Sequence, residues 1–120
     1  MDNIKTFEFH SDSEVYTCCI AKGEDNAIWF YFLNEDGYWE DLLDATAVPD
    51  KCIFVPEGYV CIKNDCENRG VLDALVGMCI VHAPICSVPS GMGTLHLEMC
   101  EVNQKVLDEW DAGKILFNEN

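Results

Sequence analysis

Seven consecutive apolar residues, "AIWFYFL" at Ala27–Leu33, stand between two polar breaks, "KGEDN" and "NEDG". A run this short, rich in aromatic and branched side chains and closed at both ends by turn formers, reads as a strand. Because it does not alternate with polar residues, it is expected to be covered on both sides, by a helix, a second sheet layer or another subunit.

The neighbouring segments read as antiparallel partners. "KTFEFH" alternates, with Phe7 and Phe9 inward, and after a turn at "SDS" the β-prone "EVYTCCIAK" returns as its hairpin mate. That alternation sends Cys18 and Cys19 to opposite faces. Asp36-Gly37 suits a two-residue hairpin loop, and "YWEDLLDATAV" continues as a fourth strand. "CIFV" and "YVCIK" around "PEG" read as a further short hairpin, with Cys52 and Cys61 filling its interior. Asn68 is placed to cap a helix over residues 69–79, where Val71, Leu72, Leu75, Val76 and Cys79 share a face. "APICSVPSGMG" reads as a loop, "TLHLEMCEV" as the last strand, and Asn103 as the cap of a short helix through Trp110, ended at Gly113. The expected fold is α+β: an antiparallel sheet of hairpins with one main helix packed on it and a short C-terminal helix. At 120 residues, with no linker, repeat or low-complexity tract, residues 1–120 read as a single domain.

Composition limits what such a domain does. With 7 basic and 22 acidic residues the formal charge is −15, which repels nucleic-acid phosphate and anionic lipid, and Arg69 is the only arginine. Direct nucleic-acid or membrane binding is therefore not expected. No apolar stretch is long enough to span a bilayer and the first residues do not read as a signal peptide, so a cytoplasmic location is expected. There the eight cysteines, Cys18, Cys19, Cys52, Cys61, Cys66, Cys79, Cys86 and Cys100, are expected to stay reduced, several as small core hydrophobes.

Chemical motifs are few. Cys79, His82, Cys86, His96 and Cys100 are the best set for zinc or for a thiol enzyme, but they lack paired C-x-x-C spacing. "VPSGMGT" is neither a nucleophile elbow nor a phosphate loop, and "NDCENRG" lacks the ligand order of a calcium loop, leaving Asp65, Glu67 and Asn68 to close a turn. No motif asks for a cofactor. The charge, by contrast, is concentrated: residues 24–50 hold Glu24, Asp25, Glu35, Asp36, Glu40, Asp41, Asp44 and Asp50 and no lysine or arginine. Carboxylates interleaved with Tyr38 and Trp39 make Glu35, Asp36, Tyr38, Trp39, Glu40, Asp41 and Asp44 the expected contact set for a basic protein surface, in the manner of a nucleic-acid mimic. The plain reading of the same charge is a solvated, solubilising face. A homodimer through Ala27–Leu33 is a further expectation, compatible with binding of a basic protein surface.

The order of "DNAIWFYFLNEDG" at Asp25–Gly37, "IKNDCENRGVLDAL" at Ile62–Leu75 and "VPSG" at Val88–Gly91 resembles a family of short acidic proteins carried on plasmids, phages and conjugative elements of gut bacteria, known only as a domain of unknown function. The likeness spans residues 6–102. It implies a cytoplasmic accessory protein of a mobile element, brings no catalytic residue, and is consistent with an inhibitor of host defence.

Overall fold

The computed structural model describes residues 4–91 and 95–117. The first four strands form a meander, β1 (Phe7–Ser11), β2 (Glu14–Lys22), β3 (Ile28–Leu33) and β4 (Trp39–Asp44), paired antiparallel in the order β1-β2-β3-β4. A second antiparallel sheet has the order β5-β7-β6, from β5 (Tyr59–Ile62), β6 (Cys86–Pro89) and β7 (His96–Glu101). The helices are α1 (Val71–Gly77), α2 (Gln104–Trp110) and α3 (Gly113–Leu116). The architecture is α+β.

The two sheets are joined through the segment that follows β4. Thr46 bridges Ile62, the Ala47 N–H donates to the Cys61 carbonyl (3.1 Å), and the Lys63 N–H donates to the Ala45 carbonyl (2.9 Å). One core cluster consequently takes side chains from both: Phe9, Cys18, Ile20, Ile28, Phe30 and Leu43 from the first, Val60, Ile62 and Cys100 from the second, and Val71, Leu75 and Leu107 from the helices. At its centre Phe30 meets Phe7 and Phe9 edge to face at 5.1 and 5.3 Å, pairings worth about 0.5–1.5 kcal/mol each beyond their burial. Packing of apolar faces, more than local propensity, is what holds these short strands and one- to two-turn helices.

Several expectations change. "CIFV" is not a strand: Ile53 and Val55 pack with Ala47 against Cys61, Val88, Leu97 and Met99, so an apolar run lies as a loop across the outer side of the second sheet, with Cys52 exposed and not inside a hairpin. The strand lost there is found at Cys86–Pro89, within a stretch read as loop. Proline is accommodated because β6 is an edge strand and Pro89, opposite His96, leaves no ladder donor missing. The main helix spans seven residues and not eleven. Its entry is set by Gly70 in the left-handed region (φ 93°), and its orphan Leu72 N–H is accepted by Asn64 Oδ1 (2.9 Å), whereas Asn68 is buried and donates from Nδ2 to the Asp44 carbonyl (2.8 Å). Cys79 lies beyond the helix end, exposed, at φ 62°. Asn103 caps α2 through a 3.4 Å bond from the Val106 N–H, as expected, but Gly113 opens α3 in place of ending the chain's last helix.

The C-terminal segment completes the first sheet. Asp111 forms a parallel bridge with Ile20, the Ala112 N–H donates to the Ile20 carbonyl (2.8 Å), and Asp111 Oδ1 accepts the N–H groups of Lys22 and Gly113 at 3.0 Å each. Lys22 Nζ reaches Asp108 at 2.9 Å. This places Phe117 edge to face with Tyr31 at 5.7 Å. No helix among the described residues is long and apolar enough to cross a membrane.

Candidate functional site

Register decides which side chains share a side of the sheet. Phe7, Phe9, Tyr16, Cys18, Ile20, Phe30 and Phe32 turn toward the core. The opposite side is built from the other parity: Cys19 stands opposite Tyr31 and Tyr31 opposite Asp41, Ala21 opposite Trp29 and Trp29 opposite Asp44, and Leu33 opposite Trp39. On this outer side Cys19 and Ala21 are fully buried under the C-terminal segment. Beyond it the described residues cover this side only in part. Trp29, Tyr31 and Trp39 are half-buried, while Leu33 is 41% exposed, Phe117 49% and Val15 56%. The Ala27–Leu33 run is thus deeply buried on one side only, where Ile28 and Phe30 are fully enclosed and Phe32 partly, contrary to the two-sided cover its composition predicts.

The acidic hairpin is shaped by Asn34. Its Oδ1 accepts the N–H groups of Asp36 and Tyr38, each at 2.9 Å, its own N–H donates to the Tyr38 carbonyl at 2.8 Å, and Gly37 takes φ 86°. The loop is therefore Glu35-Asp36-Gly37, three residues closed by an Asn34–Tyr38 pair, and not the two-residue turn expected at Asp36-Gly37. Further along, a bulge leaves Leu42 without a partner between the Phe30–Leu43 and Tyr31–Asp41 pairs, so that Leu42 and Leu43 both reach the core.

These constraints sort the expected contact residues. Glu35, Asp36 and Tyr38 (71% exposed) crown the hairpin. Trp39, Asp41 and Asp44 belong to the outer side with Tyr31. Glu40 belongs to the other side, opposite Phe32, and accepts a 2.8 Å bond from Asn34 Nδ2. Strand alternation thus divides the seven residues between a tip and two faces. Asp44 is further engaged, since its Oδ1 accepts the Thr46 N–H (2.9 Å) and hydroxyl (2.7 Å). The charges on Glu40 and Asp41 also guard β4, an edge strand in its sheet, against pairing with another chain. Tyr31 sits between burial and charge, and burial first, then the nearby Asp41 and Cys19, raises its hydroxyl above the ordinary tyrosine range.

Sequence reasoning missed Val15, Tyr31, Leu33 and Phe117 as parts of one surface. The odd-numbered parity of the apolar run carried the signal for Tyr31 and Leu33; Phe117 had none, because it arrives through the C-terminal clamp. Also unforeseen is a groove of about 500 Å³ at the base of the hairpin, lined by Glu24, Asp25, Asp44, Thr46, Glu57 and Tyr59 among others. Its rim holds two successive left-handed residues, Asp25 (φ 55°) and Asn26 (φ 65°).

The thiols are dispersed. All eight are free, with Cys18, Cys19, Cys61 and Cys100 buried and Cys52, Cys66, Cys79 and Cys86 exposed. Burial pushes Cys18 and Cys19 up to about 12 and Cys100 up to about 11, which keeps them as neutral thiols and not as nucleophiles or ligands. Of the Cys79–Cys100 set, Cys100 faces the shared core, Cys86 stands opposite Met99 on the other side of the sheet, and His82 and His96 are exposed. Among the described residues, no group of three or more His, Cys, Asp and Glu side chains comes together to hold a metal ion.

Comparison with protein-family models, with curated protein sequences and with solved structures gives no match for this chain.

Proposed function

We propose that the chain is a non-catalytic interaction protein that captures a basic protein surface through the β3–β4 hairpin and the outer side of its four-stranded sheet. One observation carries the reading: the second side of the most apolar strand, which its composition expects to be covered, is left half open by the described residues and is bordered by Asp41, Asp44 and the acidic tip. Exposed apolar surface with a charged margin is the anatomy of a binding patch, in which buried aromatics supply affinity and rim charge steers the encounter. The field of a chain at −15 selects a cationic partner and opposes a second copy of itself. Nucleic acid would be displaced from a basic partner as a consequence of occupancy, which is the mimicry expected from the charge and the resemblance. The test is affinity capture with the native chain and with a variant carrying Glu35→Gln, Asp36→Asn, Glu40→Gln, Asp41→Asn and Asp44→Asn, followed by titration of the captured protein after purification. Loss of at least tenfold in affinity, with binding to the native chain that weakens as salt rises, supports the reading; equal affinity for both forms overturns it.

A further inference from the structure

Resting on that reading, we infer that the outer side of the four-stranded sheet seats an extended, otherwise apolar segment of the partner that carries arginines at alternate positions. The register sets an aromatic ring beside a carboxylate twice, Tyr31 opposite Asp41 and Trp29 opposite Asp44. Directly opposed residues on one side of an antiparallel pair have their Cβ atoms about 5 Å apart, near enough for one incoming group to meet both. A guanidinium does so better than an ammonium: its plane stacks on a ring while its edge forks onto a carboxylate, and it gives up its hydration more readily.

The spacing selects the backbone of the occupant. Trp29 and Tyr31 are two residues apart on β3, a distance of about 7 Å, which matches alternate side chains of another extended chain. Leu33, Trp39 and Phe117 continue the floor and require apolar residues of the same segment. None of the β1–β4 residues that the register places on this side is Lys or Arg, and among the described residues neither Asp41 nor Asp44 makes an ion pair, although Asp44 Oδ1 already accepts the Thr46 N–H and hydroxyl. Repulsion between chains at −15 each argues against a second copy as the occupant.

The probes are two nine-residue leucine-rich peptides, one with two alternate arginines and one with two alternate lysines, titrated at fixed ionic strength against the whole chain, its Asp41→Asn variant and its Tyr31→Leu variant, with binding read from peptide anisotropy. The arginine peptide is expected to bind at least tenfold more tightly than the lysine peptide. Asp41→Asn, a change at an exposed side chain that leaves folding intact, is expected to cost the arginine peptide about tenfold, and Tyr31→Leu to reduce the preference between the peptides severalfold, the Trp29–Asp44 seat remaining. Equal binding of both peptides, reduced equally by Asp41→Asn, would overturn the aromatic seat while leaving electrostatic capture standing. Absence of binding by either peptide alongside charge-dependent capture of a partner would place that partner elsewhere and likewise overturn the inference. A concentration-dependent dimer that protects Leu33 and Tyr31 would overturn it in favour of a second copy. Failure of the earlier reading looks different, as capture indifferent to the five-fold neutralisation.

Discussion

Raising the pH from 8 to 10 should destabilise this protein through thiols that no reaction uses. Cys18, Cys19 and Cys100 are completely buried, and burial lifts the first two from 9.0 to about 12 and the third to about 11. In the unfolded chain the same groups ionise near their ordinary value, so between pH 9 and the folded values the unfolded state binds fewer protons than the native state. The raised groups contribute stability that is fully present below pH 9 and is lost as pH climbs toward 11 and 12. At pH 10 each contributes a loss of about 1 kcal/mol relative to pH 8, a few kcal/mol for the three together, against a total stability on the order of 5–15 kcal/mol. Cys61 and Tyr31, both raised mainly by burial, act in the same direction. The assay is urea unfolding followed by tryptophan fluorescence at both pH values under a thiol reductant, for the native chain and for Cys100→Ala. The alanine variant is expected to lose about 1 kcal/mol less between the two pH values than the native chain does, whatever its cost at pH 8. An identical pH dependence in the two proteins would refute the burial argument for Cys100.

Other perturbations test the frame that holds the candidate surface. Phe30→Ala removes the ring at the centre of the Phe7–Phe9 pairing and should cost about 3–5 kcal/mol in chemical denaturation, with Phe30→Leu costing less. Asp111→Ala leaves the Lys22 and Gly113 N–H groups without their acceptor and should cost about 2–4 kcal/mol, most of it restored by Asp111→Asn, whose amide oxygen still accepts. Asn68→Ala strands the Asp44 carbonyl at the join between the sheets and should cost about 1–3 kcal/mol by the same measurement.

The strands that alternate were legible, because Phe7, Phe9 and the residues of β2 obey a period of two that the core enforces. So was the Asn103 cap, which acts on its own helix. What stayed hidden depends on neighbours distant in sequence. Asn64 caps α1 from eight residues upstream of its donor, whereas Asn68, four residues nearer the helix, stands at the spacing an N-cap ordinarily has. Ile53 and Val55 look like strand residues because cover over a second sheet needs the same apolar side chains as a strand does. Cys86–Pro89 looks like loop because Pro84 precedes it and Pro89 ends it, although an edge strand has one side where a missing donor matters little. For the candidate site, the sequence revealed Tyr38, Trp39 and the carboxylates but not their division, since that rests on the Leu42 bulge and on strand parity. The open second side of β3 was illegible for a simpler reason: an apolar run shows that cover is needed, and only the fold shows which part of that side the described residues leave exposed.

Hydroxyl-radical footprinting of the chain, free and bound to its captured partner, addresses the central claim most directly, because aromatic and aliphatic side chains report their own exposure. The account expects protection at Tyr31, Leu33, Tyr38, Trp39 and Phe117, with Phe54, 81% exposed on the loop over the second sheet, unchanged. Protection of Phe54 and Val48, with the β3–β4 side chains oxidised as in the free protein, would contradict it.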